Sequence, residues 1–405
     1  MTMERYAKYK DSGVDWIGEI PDGWNITPLK HIVNVIYGFP FDAKNFNNQG
    51  HGKPLIRIRD ITSGTTETSF DGDYPDYSVV HRGDVLIGMD GDFNVRVWSG
   101  SEALLNQRCC KVLGKGLIHD SFLAFCLPFA LKQINDLKYA TTVKHLSDGD
   151  INNIALPLPS IPIQQAIVAY LEEKTAAIDA AVADVERSIE LLNEYCQSVI
   201  SEAVTKGLDP NAPMKDSGID WIGEIPEGWH VEKAKYLVRI TNGSDPKTKG
   251  TIPVYGSGTG SFKTCGESKD GPTVLIGRKG ATLHIPHYIT GKYWNVDTAF
   301  DVKPIDDNMN LRYYYYLATC FDYKQHMSQT TLPSMTQSAY WNMPLPTPDR
   351  KTQNQIVDYL DKKCSQLDAL IDQKQSLLVR LKEYRSSLIS ECVTGKVKVP
   401  GVKED

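Results

Sequence analysis

The side chains with the widest chemical scope fall into two basic clusters. In the second half of the chain, Lys247 and Lys249 precede and Lys263 follows the run Tyr255-Gly256-Ser257-Gly258-Thr259-Gly260-Ser261, and Arg278-Lys279 come shortly after. A glycine-rich run exposes backbone N–H groups and could cradle a phosphate. Its spacing fits neither G-x-x-x-x-G-K-[ST] nor G-x-G-x-x-G, and a mobile or tight turn is the plainer reading. The first half offers Lys53, Arg57, Arg59, Asn94, Arg96, Arg108, Lys144 and His145. Arginine and lysine reach guanine edges or phosphates, and asparagine can read adenine. With Tyr255, Ser257 and Thr259, these residues form a candidate DNA-binding set. Any one of them is more often a solvated surface group; the clustering is what points to nucleic acid.

Catalytic chemistry has little footing. There is no H-E-x-x-H, no G-x-S-x-G and no N-P-P-[YF] segment of the kind an adenine methyltransferase carries. His284-Ile285-Pro286-His287 contains a proline and lacks the helical spacing of a zinc pair, so it reads as loop. Asp245 with Glu267-Ser268-Lys269 loosely resembles a nuclease D…E-x-K set. The first half has no counterpart, and a solvated loop is the better reading. The 8 cysteines show no C-x-x-C spacing, which fits reduced thiols rather than a disulfide framework or a zinc site.

The positions of these clusters make sense only against a duplication. Asp11-Ser12-Gly13-Val14-Asp15-Trp16-Ile17-Gly18-Glu19-Ile20-Pro21-Asp22-Gly23-Trp24 returns at 216–229, changed only at Val14/Ile219 and Asp22/Glu227. Ile167-Val168-Ala169-Tyr170-Leu171 returns as Ile356-Val357-Asp358-Tyr359-Leu360, an offset of 189 that holds without a gap to Thr205/Thr394. Val85-Leu86-Ile87-Gly88 and Val274-Leu275-Ile276-Gly277 share that offset, as do Thr141-Thr142-Val143 and Thr330-Thr331-Leu332. Each half therefore runs from a tryptophan-rich strap through a globular region to a long helix. Trp16, Trp24, Trp221 and Trp229 either form a partner surface or plug gaps between globular region and helix. Plugging is favoured, because tryptophan is usually largely buried.

Within residues 25–156, Leu55-Ile56-Arg57-Ile58-Arg59 alternates and reads as a half-buried strand with Arg57 and Arg59 on one face. Asp84 to Gly88 reads as a buried strand leading into a turn at Asp90-Gly91, and Phe122 to Leu137 as a helix. Residues 230–348 repeat this plan with different side chains, Leu311 to Phe321 matching the earlier helix. Prolines at 157, 159 and 162, and at 344, 346 and 348, mark where the long helices start. Ile178, Val182, Val185, Ile189, Leu192, Cys196, Val199 and Ala203 form a heptad seam, and Ile356 to Cys392 carries a similar stripe. Such helices need partners. They could pack onto separate globular regions, but their opposite net charges favour pairing with each other: −5 for residues 157–206 and +2 for residues 349–405. The globular regions carry −1 (residues 25–156) and +4 (residues 230–348), and the whole chain −6, which excludes a uniformly basic nucleic-acid binder. A polar N-terminus and the lack of any long apolar run lead us to expect a soluble, cytoplasmic protein without membrane contact.

Taken together, these features resemble the specificity subunit of a Type I restriction–modification enzyme. The resemblance covers the whole chain. It rests on the paired D-S-G-[VI]-D-W-I-G-E-I-P-[DE]-G-W segments, on Leu156-Pro157-Leu158-Pro159 and Met343-Pro344-Leu345-Pro346, on the Ile-Val-x-Tyr-Leu pair and on Val274 to Thr282. One departure is visible: the family usually has Glu-Gln where this chain has Ile163-Gln164 and Thr352-Gln353. The implied fold is duplicated mixed α+β target recognition domains, joined by two long antiparallel coiled-coil helices in an internal pseudo-two-fold repeat. The implied partition is an N-terminal arm with the first repeat (1–24), recognition domain 1 (25–156), spacer helix 1 (157–206), linker with the second repeat (207–229), recognition domain 2 (230–348), and spacer helix 2 with a C-terminal tail (349–405). Each recognition domain would read one half of a bipartite, asymmetric site on double-stranded DNA, and the helices would set the spacing. The chain itself would hold no cofactor or metal and have no catalytic activity. Its expected partners are two methylation subunits using S-adenosylmethionine, and restriction motor-nuclease subunits using ATP and Mg²⁺. The alternatives are a coiled-coil scaffold without DNA specificity, and a fused nuclease or methyltransferase.

Overall fold

The computed structural model describes residues 4–138, 144–328 and 332–402. Thr141-Thr142-Val143 and Thr330-Thr331 lie outside the described residues. The chain divides into two compact units, Met1–Asp184 with Leu378–Asp405, and Val185–Leu377. The division passes through both long helices rather than between globular region and helix.

In the first unit the elements used below are β1 (Val33–Tyr37), β2 (Lys53–Ile56), α1 (Ile58–Ser63), β3 (Val85–Gly88), β4 (Val95–Val97), β5 (Ala103–Leu105), β6 (Cys109–Gly114) and α2 (Asp120–Lys138). An antiparallel sheet has the order β4-β3-β6-β1. A second sheet is built on the parallel pair β2/β5. The buried face of the first sheet, including Val85, Ile87, Cys110 and Val112, packs with Phe122, Leu123, Cys126 and Leu127 of α2. The run Val85–Gly88 is buried at every position, so it is apolar throughout rather than alternating.

The start of the long helix α3 (Ile161–Lys206) and the end of the long helix α5 (Arg350–Val393) complete this unit. Ile167, Leu171 and Ile178 share one core with Leu388, Ile389 and Cys392. Arg385 meets Asp179 through two contacts of 2.7 and 3.0 Å. The two stretches run antiparallel.

The second unit repeats the plan with β7 (Val238–Asn242), β8 (Ile252–Tyr255), β9 (Ser261–Cys265), β10 (Thr273–Gly277), β11 (His287–Ile289), β12 (Lys292–Asn295), β13 (Ala299–Pro304) and α4 (Leu311–Thr319). Its first sheet has the order β11-β10-β13-β7, the same as β4-β3-β6-β1. Its second sheet again contains a parallel pair, β8/β12. Val199, Ile200 and Val204 of α3 share a core with Ile356, Val357 and Leu360 of α5. The helical stretches are antiparallel here too.

Each long helix is pinned to its globular region by a buried glutamine. Gln164 accepts from the His119 N–H (2.8 Å) and donates to the carbonyls of Leu117 (3.1 Å) and Pro159 (2.8 Å). Gln353 accepts from the Asn310 N–H (2.7 Å) and donates to Asn308 (2.8 Å) and Pro348 (2.9 Å). Both side chains are fully enclosed. The amide alone supplies both donors and acceptor, so the helix start is fixed without the acidic neighbour that the family resemblance led us to expect.

The tryptophans plug gaps within their units. Trp16 stacks on Phe129 of α2 with centroids 6.3 Å apart. Trp24 sits edge-on to Tyr6, and Trp221 edge-on to Phe321. Gly395, which follows α5, is left-handed (φ +71°), and a Cβ there would lie 2.5 Å from Pro21 and 3.0 Å from Trp24. Gly207, which follows α3, is likewise left-handed (φ +77°), with Trp229 at 3.2 Å from such a Cβ. Each helix end therefore needs glycine for both its backbone and its close approach to the strap. Among the described residues no helix is long and apolar enough to cross a membrane.

Candidate nucleic-acid interface

In both units the turn after the V-L-I-G strand is held against a segment near the end of the globular region. In the first unit, the Gly91 N–H donates to the Lys144 carbonyl and the Leu146 N–H to the Met89 carbonyl. In the second, the Gly280 N–H donates to Pro333 and the Met335 N–H to Arg278. The same pair of loops is thus built twice, at equivalent places on equivalent sheets, with unrelated side chains.

The first-unit pair brings Arg108 and His145 to Asp90, with Lys144 and Asn94 held in the same loops by backbone bonds to Gly91 and Gly88. Asp90 contacts the His145 ring at 2.6 Å and Arg108 at 3.4 Å. Phe93, buried beside the turn, has a positive φ of 50°, a strained conformation for an aromatic residue. The next residue, Asn94, is exposed, and its carbonyl accepts from the Gly88 N–H. Sequence reasoning missed the bracing role of Asp90, the carboxylate that organises the cluster.

The remaining first-half candidates are placed elsewhere. Leu55 to Arg59 is not a strand: β2 ends at Ile56 and α1 begins at Ile58. The Asp60 carboxylate accepts from the Arg57 N–H at 2.8 Å, and Gly64 closes the helix in a left-handed turn (φ 78°). These caps outweigh the alternating pattern. Arg57 bonds Thr68 through its guanidinium, while Arg59 is exposed, so the two do not share a strand face. Arg96 is spent on the end of α1, donating to the Ile61 and Thr62 carbonyls at 2.5 Å each. Lys53 bonds Glu102, which raises the pKa of the lysine and lowers that of the glutamate.

In the second unit the glycine-rich run is the loop of the β8/β9 hairpin, and it rests on the turn after β10. The Ser257 hydroxyl donates to the Lys279 carbonyl, Thr282 donates to the Ser257 carbonyl at 2.6 Å, and the His287 ring lies 2.5 Å from the Gly258 carbonyl. Gly280 has φ +122°, and a Cβ on it would lie 2.8 Å from the Ser257 Oγ. Tyr255, Ser257, Thr259, Arg278 and Lys279 are brought together. Arg278 is tethered at 3.3 Å to the Asp297 carbonyl, while the Lys279 and Thr259 side chains are exposed.

Lys263 stands on β9 above the exposed ring of Phe262, at 5.3 Å. Phe262, 59% exposed, is a stacking surface that sequence reasoning passed over. Lys247 and Lys249 occupy the loop before β8. There Glu267 is not a solvated loop residue but a brace, accepting from the Lys247 and Thr248 N–H groups at 2.7 and 3.0 Å. Lys269 is likewise structural, bonding Asn295 at 2.7 Å and Asp301 at 3.1 Å. Among the described residues no three His, Cys, Asp or Glu side chains converge as a metal site.

This duplicated arrangement has known counterparts. The model of the Type I restriction modification DNA specificity domain matches residues 21–185 and again residues 226–380. The chain belongs to that family. Each match covers the last four residues of one strap, one globular region and the first part of one long helix. The EcoBI specificity subunit of Escherichia coli is 36% identical over 247 residues, 60% of this chain and 52% of that one. The chain thus spans about half the length of that relative. The MjaVIII specificity subunit of Methanocaldococcus jannaschii is 22% identical over 424 residues, 94% of each chain. A solved chain from a study of complex assembly and conformational transition of the type I R-M system superposes with a TM-score of 0.68 at 17% identity, over 92% of this chain and 98% of that one. That likeness supports the specificity-domain fold with its long helices.

Proposed function

We propose that this chain is the non-catalytic, DNA-reading subunit of a Type I restriction–modification complex. Each unit reads one half of a bipartite, asymmetric duplex site, through the turn after its V-L-I-G strand and the segment bonded beside it. The observation that carries this reading is the twice-built loop pair: Asp90–Asn94 with Lys144–Leu146, and Arg278–Leu283 with Pro333–Met335. A duplicated framework with different side chains at one place is what two readers of different sequences require.

The long helices set the spacing and dock two methylation subunits. In the second unit they carry exposed apolar side chains at Leu191, Tyr195, Leu370 and Leu377, each more than 39% exposed, which supports a further helical partner. S-adenosylmethionine belongs to those partners, and ATP with Mg²⁺ to restriction subunits that join them. Replacing residues 230–343 by the matching region of a relative tests the reading. A map of methylated adenines should show one half-site changed and the other kept. A change in both half-sites would refute it.

A further inference from the structure

Cys196 on α3 and Cys364 on α5 face each other across the helix pair of the second unit. They are 168 residues apart in sequence, with sulfurs 3.8 Å apart. Both are partly exposed. Their surroundings are firmly held. Lys363 sits over the Tyr195 ring at 5.4 Å, and Asp361 accepts from Arg312 at 2.9 Å and from Tyr316 at 2.5 Å. By the 189-residue offset, the counterpart of Cys196 is Arg385. In the first unit that arginine clamps the two helices by its double contact with Asp179. Where one unit fastens its helices by charge, the other presents two thiols.

We propose that Cys196 and Cys364 are a modification site, at which hydrogen peroxide forms an intramolecular disulfide that fastens the two helices in the second unit. One sulfur attacks the peroxide and cleaves its O–O bond, giving a sulfenic acid and one water. The second thiol then attacks that sulfur, forms the S–S bond and expels a second water. Two thiols are oxidised and one peroxide is reduced. The sulfurs must close from 3.8 Å to about 2.05 Å. Burial, reinforced by Cys196, pushes the Cys364 thiol up to about 12, and burial raises Cys196 as well. The thiolate is the attacking form, so these raised values make the reaction slow and call for excess oxidant. Selectivity follows from access. Cys109, Cys110, Cys126, Cys265 and Cys392 are buried; Cys320 is partly exposed, but its sulfur lies 3.7 Å from the Thr319 hydroxyl rather than beside a second thiol.

The test treats the purified full chain with excess hydrogen peroxide, then blocks free thiols and digests without reductant. The expected result is a peptide joining Cys196 to Cys364, lighter by two hydrogens, absent from Cys196→Ser and Cys364→Ser and lost on adding dithiothreitol. Oxidised wild type should melt higher than reduced by on the order of 5 °C, a shift that neither serine variant shows. Overoxidation of either sulfur without the linked peptide would overturn the proposal. So would crosslinks only between separate chains.

Discussion

At the scale of single residues, the candidate cations divide by what their far ends touch. Arg96 is committed to two carbonyls at the end of α1, whereas Lys279 ends in solvent. Lys279→Ala should leave the urea midpoint unchanged and weaken duplex binding by the assembled complex. Its plot of log K against log salt should flatten by about one unit, the signature of one lost phosphate contact. Arg96→Ala should do the reverse first, costing about 1–3 kcal/mol of stability because two carbonyls lose their donors. Titrations at several salt concentrations, run beside urea melts, separate the two. The glutamine pins make a sharper comparison. Gln353→Glu keeps the acceptor for Asn310 but removes both donors and buries a charge, so it should destabilise more than Gln353→Ala. Equal urea midpoints for the two variants would show that the pin is not buried in solution.

At the scale of elements, the order of each half is readable in the sequence. The duplicated strap, the V-L-I-G strand and the heptad seams are identity or period signals that survive without knowing any contact. The first-half arginines were misread for a physical reason. Alternation over Leu55–Arg59 is a local pattern, but Asp60 and Gly64 cap a short helix there, and caps decide short elements. The bracing roles of Asp90 and Glu267 were missed because an acidic residue gives no sign of the loop it will brace. The glycine-rich run was legible as a turn, but not as a loop resting on Lys279 and His287, since that support comes from residues 22 to 29 positions away. This support makes Gly280 a test of the reading role proposed for the second unit. Gly280→Ala places a methyl against Ser257 in a backbone region that L-residues rarely adopt, and should cost about 1–3 kcal/mol. Binding to sites altered in the second half-site should become no worse than binding to the intact site, while discrimination at the first half-site persists. Competition assays on the two altered duplexes measure this. Intact discrimination at both ends would remove the turn from the interface.

At the scale of the whole molecule, charge and length carry the argument. A net charge of −6, with −1 on the first globular region, leaves little cationic surface for phosphates. The isolated chain should bind duplex DNA weakly, and specific binding should appear when methylation subunits are added; equally tight binding by the chain alone would contradict this. The proposed spacing role of the helices leads to the most demanding experiment. α3 and α5 are each one uninterrupted helix, of 46 and 44 residues, and each contributes to both units. Lengthening one alone would break the seam it shares with the other. One heptad should therefore be added to both, between Asp184 and Val185 and between Leu377 and Leu378, which keeps the apolar stripe in register. Seven residues add about 10.5 Å, and base pairs advance about 3.4 Å, so the unread gap should lengthen by about three base pairs. The bases read at each end should stay the same, because neither loop pair is touched. Mapping methylated adenines in cells carrying the lengthened variant gives both quantities at once. Full activity with an unchanged gap would mean that something other than the helices sets the separation of the two half-sites.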